Sequence, residues 1–372
     1  MKKQIVIILR SVKMGGTQKR FLRLWIFFQE IGYTNIKLII TQDFYEQAIR
    51  VDEFKSITKF DAIILPTKKF RYFIPSFINL ISSFPEDTVF HCVMGFVPLV
   101  YTLLRRKLIL TFPTVRFNRE MLGISKMKMV IYYWFPFWEA WKIDVLSQYA
   151  QQQIKRLPFV KSNKVVLTPG SFVDTKIYQP NKTKKNWLVF LGRFDSYGHK
   201  NVVKFVKSIP YIFEYLRENG IEDVKFFILG YGYREKDVRN LLQTSKYQNI
   251  PIKCYYELNP QEVLSQSKVF YSLQKVSNYP SKSLLEALSC GNLCIVTDVG
   301  DSQLIAKEPF AFFVNEQFKE QDLAKCTLLI LKMDMKDFWS RVNKSLDFIN
   351  KHYEIEKVAE YYLKLYELKS LI

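Results

Sequence analysis

The sequence predicts an α/β protein made of two doubly wound domains in series, and two features of the chain support this. Short apolar runs typical of buried parallel strands alternate with segments of helical periodicity along almost all of its 372 residues. A polar, charged stretch at residues 182–186 interrupts the alternation once, after which the same pattern begins again. The length is sufficient for two hydrophobic cores of ordinary size.

The first half supplies six predicted strands of one parallel sheet. A helix over Thr17–Ile31 follows the first strand, and helices are expected on both faces of the sheet. The predicted strands are Ile5–Leu9, Ile36–Thr41, Ala62–Leu65, Val89–Val93, Leu108–Phe112 and Val165–Thr168.

The second half repeats this order, and helices such as Asn201–Ser208 and Glu235–Ser245 separate its strands. The tail Met335–Leu371 is expected to be helical throughout, with its last helix packing back across the domain junction. We therefore expect one domain over residues 1–172 plus about 354–372, and a second over 173–353. The predicted strands are Trp187–Leu191, Val224–Leu229, Ile252–Tyr255, Val269–Leu273, Leu293–Thr297 and Ala311–Val314.

Charge is distributed unevenly along the chain, whose formal net charge is +20. Residues 1–170 hold 26 Lys and Arg against 11 Asp and Glu, a balance of +15, whereas residues 171–372 hold 29 against 24, a balance of +5. A one-sided basic surface favours a large anionic partner, either an anionic membrane or a nucleic acid. No nucleic-acid-binding signature accompanies the charge, so a nucleic-acid partner is the weaker hypothesis.

The sequence contains no secretion signal and no apolar stretch of the about 18 residues that a membrane-spanning helix needs. We therefore expect a cytoplasmic protein. The five cysteines are scattered and odd in number, which argues against a disulfide framework and against a zinc site.

Four turns that follow predicted strands could carry chemistry, because open α/β sheets bind ligands at such positions. In Met14–Thr17, glycines and the free amides of a helix start would suit an anion, although such a turn is more often structural. In Leu191–Asn201, Arg193 and Lys200 could converge on one diphosphate. The alternative is that both are solvated surface cations. Leu229–Gly232 is a third glycine turn, which would leave room for a nucleotide.

The fourth turn, Ser277–Gly291, contains a single carboxylate, Glu286, inside an otherwise apolar helix. An ionised side chain in such a place needs a partner. A ligand donor such as a ribose hydroxyl is the favoured partner, and a local backbone group or an arginine is the alternative.

In order and spacing, these turns resemble the motifs of family 4 glycosyltransferases. The resemblance rests on Gly15-Gly16, Gly192-Arg193 with Lys200-Asn201, Gly230-Tyr231-Gly232, Leu285-Glu286-Ala287-Leu288 before Gly291, Thr297-Asp298-Val299-Gly300, and Pro169-Gly170-Ser171-Phe172-Val173-Asp174 at the junction. It covers nearly the whole chain. It implies two Rossmann-like domains facing across a cleft, the GT-B architecture, and a retaining, metal-independent transfer of sugar from a nucleotide sugar.

The resemblance also implies roles for individual residues. Arg193 and Lys200 would hold the donor's diphosphate and stabilise the charge that develops there, and Glu286 would bind the ribose hydroxyls. The other implied donor-binding residues are Gly15, Gly16, Gly230, Asn278, Tyr279, Pro280, Ser281, Lys282 and Leu285. No cofactor and no metal are implied, because the nucleotide sugar, UDP- or GDP-linked, is a substrate.

Two positions depart from the family pattern. Asn278 stands where the family usually has a glutamate that meets the donor sugar, and Pro113 stands where it usually has a histidine. An asparagine can hydrogen-bond a sugar hydroxyl but supplies no negative charge. Candidate acceptor-side residues are His91, Arg116 and Asn118, and a satisfied core imidazole is an equal alternative for His91.

The aromatic window Met129–Trp141 lies among basic residues, and the helix after Gly16 combines Lys19, Arg20 and Arg23 with Phe21, Leu24, Trp25 and Phe28. Both suit contact with an anionic membrane interface, and the alternative for an apolar stripe is a core position.

The expected function is therefore transfer of a sugar to a lipid-linked or growing glycan acceptor for cell-surface polysaccharide or glycolipid, at the inner face of the cytoplasmic membrane. The alternative is a catalytically altered binding protein of the same fold.

Overall fold

A computed structural model describes residues 3–9, 16–65, 77–93, 106–112, 137–169, 171–195, 200–277 and 279–369. The chain forms two compact units. Unit 1 comprises residues 1–171 and 355–372, and unit 2 comprises residues 172–354.

Unit 1 is built on a sheet of seven parallel strands. The strands are Ile5–Leu9 (β1), Ile36–Thr41 (β2), Ile63–Leu65 (β3), Val89–Val93 (β4), Lys107–Phe112 (β5), Lys142–Val145 (β6) and Val165–Leu167 (β7). Their order in the sheet is β3-β2-β1-β4-β5-β6-β7. The interior strand β1 is buried along its whole length, and its first residue pairs with Ile36 on one side and Val89 on the other. This is the arrangement expected of a parallel sheet covered on both faces.

Four α-helices of unit 1 have both ends described: Gly16–Glu30, Gln42–Ala48, Gln148–Lys155 and Ile355–Leu365. The first of these is buried over nine consecutive residues, from Arg20 to Phe28. The sheet, the 3-10 helix Asp52–Lys59 and the C-terminal helix Ile355–Leu365 all pack against it. The last helix of the chain therefore returns to unit 1, as the sequence predicts.

A chain of buried polar side chains joins that C-terminal helix to the sheet. The hydroxyl of Tyr362 donates to Asp144 Oδ2 at 2.7 Å, and Arg20 donates to the Tyr362 hydroxyl at 3.0 Å and to Thr168 Oγ1 at 3.1 Å. The hydroxyl of Thr111 also donates to Asp144 Oδ2, at 2.7 Å. These contacts give partners to charged groups that would be costly to bury alone.

The same network includes His91, whose two ring nitrogens lie 2.6 Å from the hydroxyls of Tyr366 and Thr111. His91 is fully buried, and burial, together with the nearby Arg20 charge, lowers the pKa of its imidazole to about 3. The expectation that His91 could serve on the acceptor side is not supported, because the ring has no exposed surface. His91 is instead a core imidazole with a hydrogen-bond partner for each ring nitrogen, which was the alternative interpretation of the sequence.

The structure also contradicts membrane contact by the helix Gly16–Glu30. Phe21, Leu24, Trp25 and Phe28 are completely buried, and Arg20 is 2% exposed. The apolar stripe is therefore part of the protein core, and the arginine serves the internal network described above. Of the aromatic window, residues 129–136 lie outside the described part of the chain.

Unit 2 is built on a second parallel sheet, whose six strands are Lys185–Arg193 (β8), Lys225–Tyr231 (β9), Ile252–Tyr255 (β10), Ser267–Ser272 (β11), Leu293–Thr297 (β12) and Ala311–Val314 (β13). Their order in the sheet is β10-β9-β8-β11-β12-β13. The α-helices that cover its two faces are Val202–Glu218, Glu235–Leu242, Gln261–Gln266, Lys282–Ser289, Glu320–Leu331 and Met335–His352.

The predicted fold class is confirmed, and most predicted strands are found within one or two residues of the expected limits. The strand Lys142–Val145 was missed, because its interior Asp144 breaks the apolar run. The tail forms two helices, Met335–His352 and Ile355–Leu365, so its last helix ends earlier than the expected limit at Leu371. The polar stretch 182–186 is only partly a linker, because β8 begins at Lys185.

Candidate active site

The strand order of unit 2 creates a crevice between β8 and β11. These two strands are neighbours in the sheet, but the chain leaves β8 toward β9 on one side and leaves β11 toward β12 on the other. The connections therefore diverge above the carboxyl ends of β8 and β11. Open α/β sheets bind ligands at such a switch point, which directs attention to the residues that follow Arg193 and Ser272.

Two glycines allow the ends of β8 and β9 to approach closely. Gly192 pairs with Gly230 in the sheet register, and a Cβ atom placed on Gly230 would lie 2.0 Å from the carbonyl oxygen of Gly192. A Cβ atom on Gly192 would lie 2.6 Å from Cδ of Lys200. Gly230 therefore shapes the turn by its missing side chain, and Gly192 leaves room for the Lys200 stem to cross the strand end.

Lys200 bridges the two sides of the crevice. Its Nζ lies 3.4 Å from Oγ of Ser283, in the first turn of the helix that follows β11. Burial lowers the pKa of the Lys200 ammonium, and the carboxylates of Glu286 and Asp195 partly offset this. Arg193, the last residue of β8, is exposed at the same edge. Two cations thus stand near the switch point, although residues 196–199 between them lie outside the described ranges.

Glu286 has a partner within its own helix. Its Oε1 lies 3.3 Å from Nζ of Lys282, and the side chains are 5% and 9% exposed, respectively. Lys282 Nζ also lies 5.8 Å from the centre of the Tyr178 ring. The partners expected from the sequence were a ligand or, as the alternative, a local backbone group or an arginine, whereas the chain itself supplies a lysine.

The loop between β11 and this helix is held by the end of β12. The Thr297 hydroxyl accepts from the backbone amide of Gln274 at 2.6 Å and donates to its carbonyl at 2.8 Å. Gly300 has a φ of +52°, and a Cβ atom there would lie 2.3 Å from the Cβ of Ser277. The Thr297–Gly300 segment thus fixes the position of the loop that enters the crevice.

The remaining predicted donor-binding residues of unit 2 differ in accessibility. Ser281 is buried, with its Oγ 3.4 Å from that of Ser283, while Tyr279 and Pro280 are partly buried. Leu285 is completely buried in the hydrophobic core, so its side chain cannot meet a ligand. Its predicted role is corrected to one of packing, because the helix turns this position toward the sheet.

The other predicted site residues either belong to unit 1 or fall outside the described part of the chain. Gly16 opens the first helix of unit 1. Asn278, Gly15, Arg116 and Asn118 fall outside the described residues, as does Pro113.

Sequence reasoning missed the pairing of Lys282 with Glu286 and the contact of Lys200 with Ser283. A signal for the first was present, because side chains four residues apart on a helix are neighbours. Nothing in the sequence pointed to the second, which depends on how two distant segments approach. Across the described ranges, no group of three or more His, Cys, Asp and Glu side chains is placed to hold a metal ion.

The fold and the crevice together define a nucleotide-binding protein of the doubly wound class, with cations at the switch point and a buried carboxylate beside them. The model of the family described as glycosyl transferases group 1 matches residues 185–333. This match covers the whole sheet of unit 2, and it agrees with the resemblance to family 4 glycosyltransferases. The chain is a nucleotide-sugar-dependent glycosyltransferase of the GT-B fold.

One curated relative is similar along its whole length. It is the GalNAc-alpha-(1->4)-GalNAc-alpha-(1->3)-diNAcBac-PP-undecaprenol alpha-1,4-N-acetyl-D-galactosaminyltransferase of Campylobacter jejuni, 24% identical over 382 residues, with 97% of this chain and 98% of the relative covered.

Two solved structures share the fold. Anabaena Alr3699/HepE, in complex with UDP and glucose, superposes with a TM-score of 0.76 at 10% identity, covering 98% of this chain and 99% of that one. A glycosyltransferase from Rickettsia africae superposes with a TM-score of 0.70 at 14% identity, covering 99% and 98%.

Proposed function

We propose that this protein transfers a sugar, with retention of anomeric configuration, from a UDP- or GDP-linked donor to a lipid-linked or growing glycan acceptor. The observation that carries the proposal is the convergence of Arg193, Lys200 and Glu286 on the switch point between β8 and β11. Cations suit a diphosphate, and a carboxylate suits the hydroxyls of a ribose.

Each residue has a distinct role in this scheme. Arg193 and Lys200 bind the diphosphate and neutralise the charge that grows on it as the bond to the sugar breaks. A diphosphate beside Lys200 opposes the effect of burial on the ammonium pKa, so the lysine is held protonated when the donor is bound. Glu286 orients the nucleoside by accepting hydrogen bonds from the ribose.

The relatives support the choice of donor and acceptor. HepE has been solved with UDP and glucose, which favours UDP as the carrier among the two candidates. The Campylobacter jejuni relative acts, by its name, on a glycan attached to undecaprenol through a pyrophosphate. A polyprenyl-linked glycan is therefore the acceptor class we assign to this protein.

We assign donor binding to unit 2 and acceptor and membrane contact to unit 1. The basic excess of the first 170 residues, +15 against +5 for the rest, supports peripheral contact with an anionic membrane. Within the described residues, no helix has both the length and the apolar character needed to cross a bilayer. Flotation with anionic liposomes, compared with neutral ones, tests this assignment at low and high salt.

The proposal is tested by presenting the purified protein with a panel of UDP- and GDP-sugars, and by measuring transfer to a polyprenyl-pyrophosphate-linked acceptor. Lys200→Met and Glu286→Gln should each lower transfer about 100-fold or more, because each removes a group that acts on the donor. Lys207→Met is the matched control, since Lys207 is exposed on the helix that follows Lys200. Its activity should stay within about twofold of wild type.

Two outcomes would contradict the proposal. Full transfer by Lys200→Met would show that Lys200 does not have the role in diphosphate binding that we assign to it. Nucleotide binding without turnover of any donor, with or without acceptor, would instead favour a catalytically altered binding protein.

A further inference from the structure

Two lysines face the buried Glu286, and they come from different parts of unit 2. Lys200 follows β8 and reaches across the crevice to Ser283. Lys282 lies one helical turn before Glu286 and contacts its Oε1 at 3.3 Å. Burying a carboxylate is costly unless it is paired, and Glu286, whose side chain is 5% exposed, has Lys282 as its paired cation.

Donor binding changes which anionic group each of these two lysines pairs with. Under the proposed function, Lys200 serves the incoming diphosphate, which competes with Glu286 for its charge. Lys282 is then the cation that stays with the carboxylate. It is 9% exposed and lies against the Tyr178 ring, so its own surroundings hold it near the helix.

The two carboxylate oxygens of Glu286 also have different surroundings. Lys282 contacts Oε1, and a carboxylate has lone pairs on both oxygens. An oxygen held by a cation fixes the side-chain rotamer, and the second oxygen is then presented in a defined direction. We propose that Lys282 is a positioning residue that holds the Glu286 carboxylate in the orientation that accepts hydrogen bonds from the ribose hydroxyls of the donor.

This inference rests on the proposed function, and it assigns Lys282 a role that acts through Glu286 and the ribose. The phosphates are left to Arg193 and Lys200. It therefore predicts an energetic coupling between Lys282 and the ribose hydroxyls, with no coupling between Lys282 and the diphosphate.

The test measures binding of three probes by titration calorimetry: UDP, 2′,3′-dideoxy-UDP and inorganic pyrophosphate. The wild-type protein should bind dideoxy-UDP about tenfold or more weakly than UDP, because hydrogen bonds to a charged acceptor are lost. Lys282→Met should lower UDP affinity by a similar factor, bind dideoxy-UDP nearly as wild type does, and leave pyrophosphate binding within about twofold. Glu286→Gln should show the same loss of discrimination, and Lys282→Arg should restore it.

The results separate the two proposals. If Lys282→Met keeps the wild-type discrimination, or loses affinity equally for all three probes, the positioning role is wrong while the nucleotide site stands. If the wild-type protein binds neither UDP nor GDP, the proposed function fails first. Should Lys282→Met not fold, as judged by circular dichroism and melting, Lys282→Gln replaces it, since glutamine keeps a hydrogen-bond donor without the charge.

Discussion

Tyr362 donates its hydroxyl hydrogen to Asp144 across 218 residues of sequence, at 2.7 Å, and both side chains are fully buried. The same hydroxyl accepts from Arg20 at 3.0 Å. A single phenol oxygen thus links a buried carboxylate on β6 with a buried guanidinium on the first helix. This arrangement sets the stability of unit 1 and its response to pH.

Removing that hydroxyl should destabilise unit 1 strongly. In Tyr362→Phe, Asp144 loses one donor and Arg20 loses one acceptor, and both groups stay buried, so we expect the free energy of unfolding to fall by about 3 kcal/mol. Urea denaturation gives the change, and hydrogen exchange of the amides in β4 to β6 assigns it to unit 1. Tyr211→Phe is the control, because Tyr211 is 43% exposed. Equal stability of the two variants would contradict the structural role of the network.

The Asp144 carboxyl should give unit 1 an unusual pH dependence. Burial raises its pKa to about 6, and the Arg20 charge and the hydrogen bonds from Tyr362 and Thr111 offset only part of that rise. The folded protein therefore binds this proton more tightly than the unfolded chain does. The stabilisation is fully present below the unfolded pKa and is lost as the pH rises through about 6.

This dependence is measured as the difference in unfolding free energy between wild type and Asp144→Asn. As the pH rises from about 4 to about 7, wild type should lose up to about 3 kcal/mol relative to the variant. The lowered pKa of His91 acts with the opposite sign over part of this range, but it is present in both proteins and cancels in the difference. A difference that is independent of pH would show that the Asp144 carboxyl titrates normally.

Two glycines at the crevice should respond differently to the same substitution. In Gly230→Ala the new methyl meets the backbone oxygen of Gly192, whereas in Gly192→Ala it meets the flexible stem of Lys200. We expect Gly230→Ala to lower the free energy of unfolding by about 2 kcal/mol or more and to weaken UDP binding, because the paired strand ends must separate. Gly192→Ala should fold with nearly wild-type stability and lose about tenfold in UDP affinity, because the lysine is displaced.

Thermal melting and UDP titration of the two variants check this contrast. If Gly192→Ala binds UDP as wild type does, Lys200 does not need its observed path to reach the diphosphate. If Gly230→Ala melts at the wild-type temperature, the close approach of β8 and β9 has little energetic consequence.

The sequence predicted the sheets well because most of their strands are continuous apolar runs, as in Ile5–Leu9 and Leu293–Thr297. It failed at Lys142–Val145, where a charged residue is needed by partners on other elements. The same cause explains Arg20 and His91, since each has a tyrosine partner, Tyr362 or Tyr366, from the far end of the chain. Periodicity identifies which face of an element is apolar, and it carries no information about such distant polar partners.

In the candidate site, too, features set by local sequence could be predicted and contacts between distant segments could not. The glycine turns and the cations at Arg193 and Lys200 could be located from local patterns, because a ligand crevice in this fold lies at strand ends. The partner of Glu286 is also local, because Lys282 lies one helical turn before it. The reach of Lys200 to Ser283 depends on the neighbouring placement of β8 and β11, which only the sheet order reveals.

The return of helix Ile355–Leu365 to unit 1 has a consequence for biosynthesis. The strands of unit 1 emerge from the ribosome first, yet Tyr362 and Tyr366 emerge only after all of unit 2 has been translated. Until then His91 and Asp144 lack partners that the finished protein gives them. Domains usually fold in the order of their synthesis. Here the domain made first is completed last, so the nascent protein passes through a stage in which unit 2 can be folded while unit 1 still awaits its final helix.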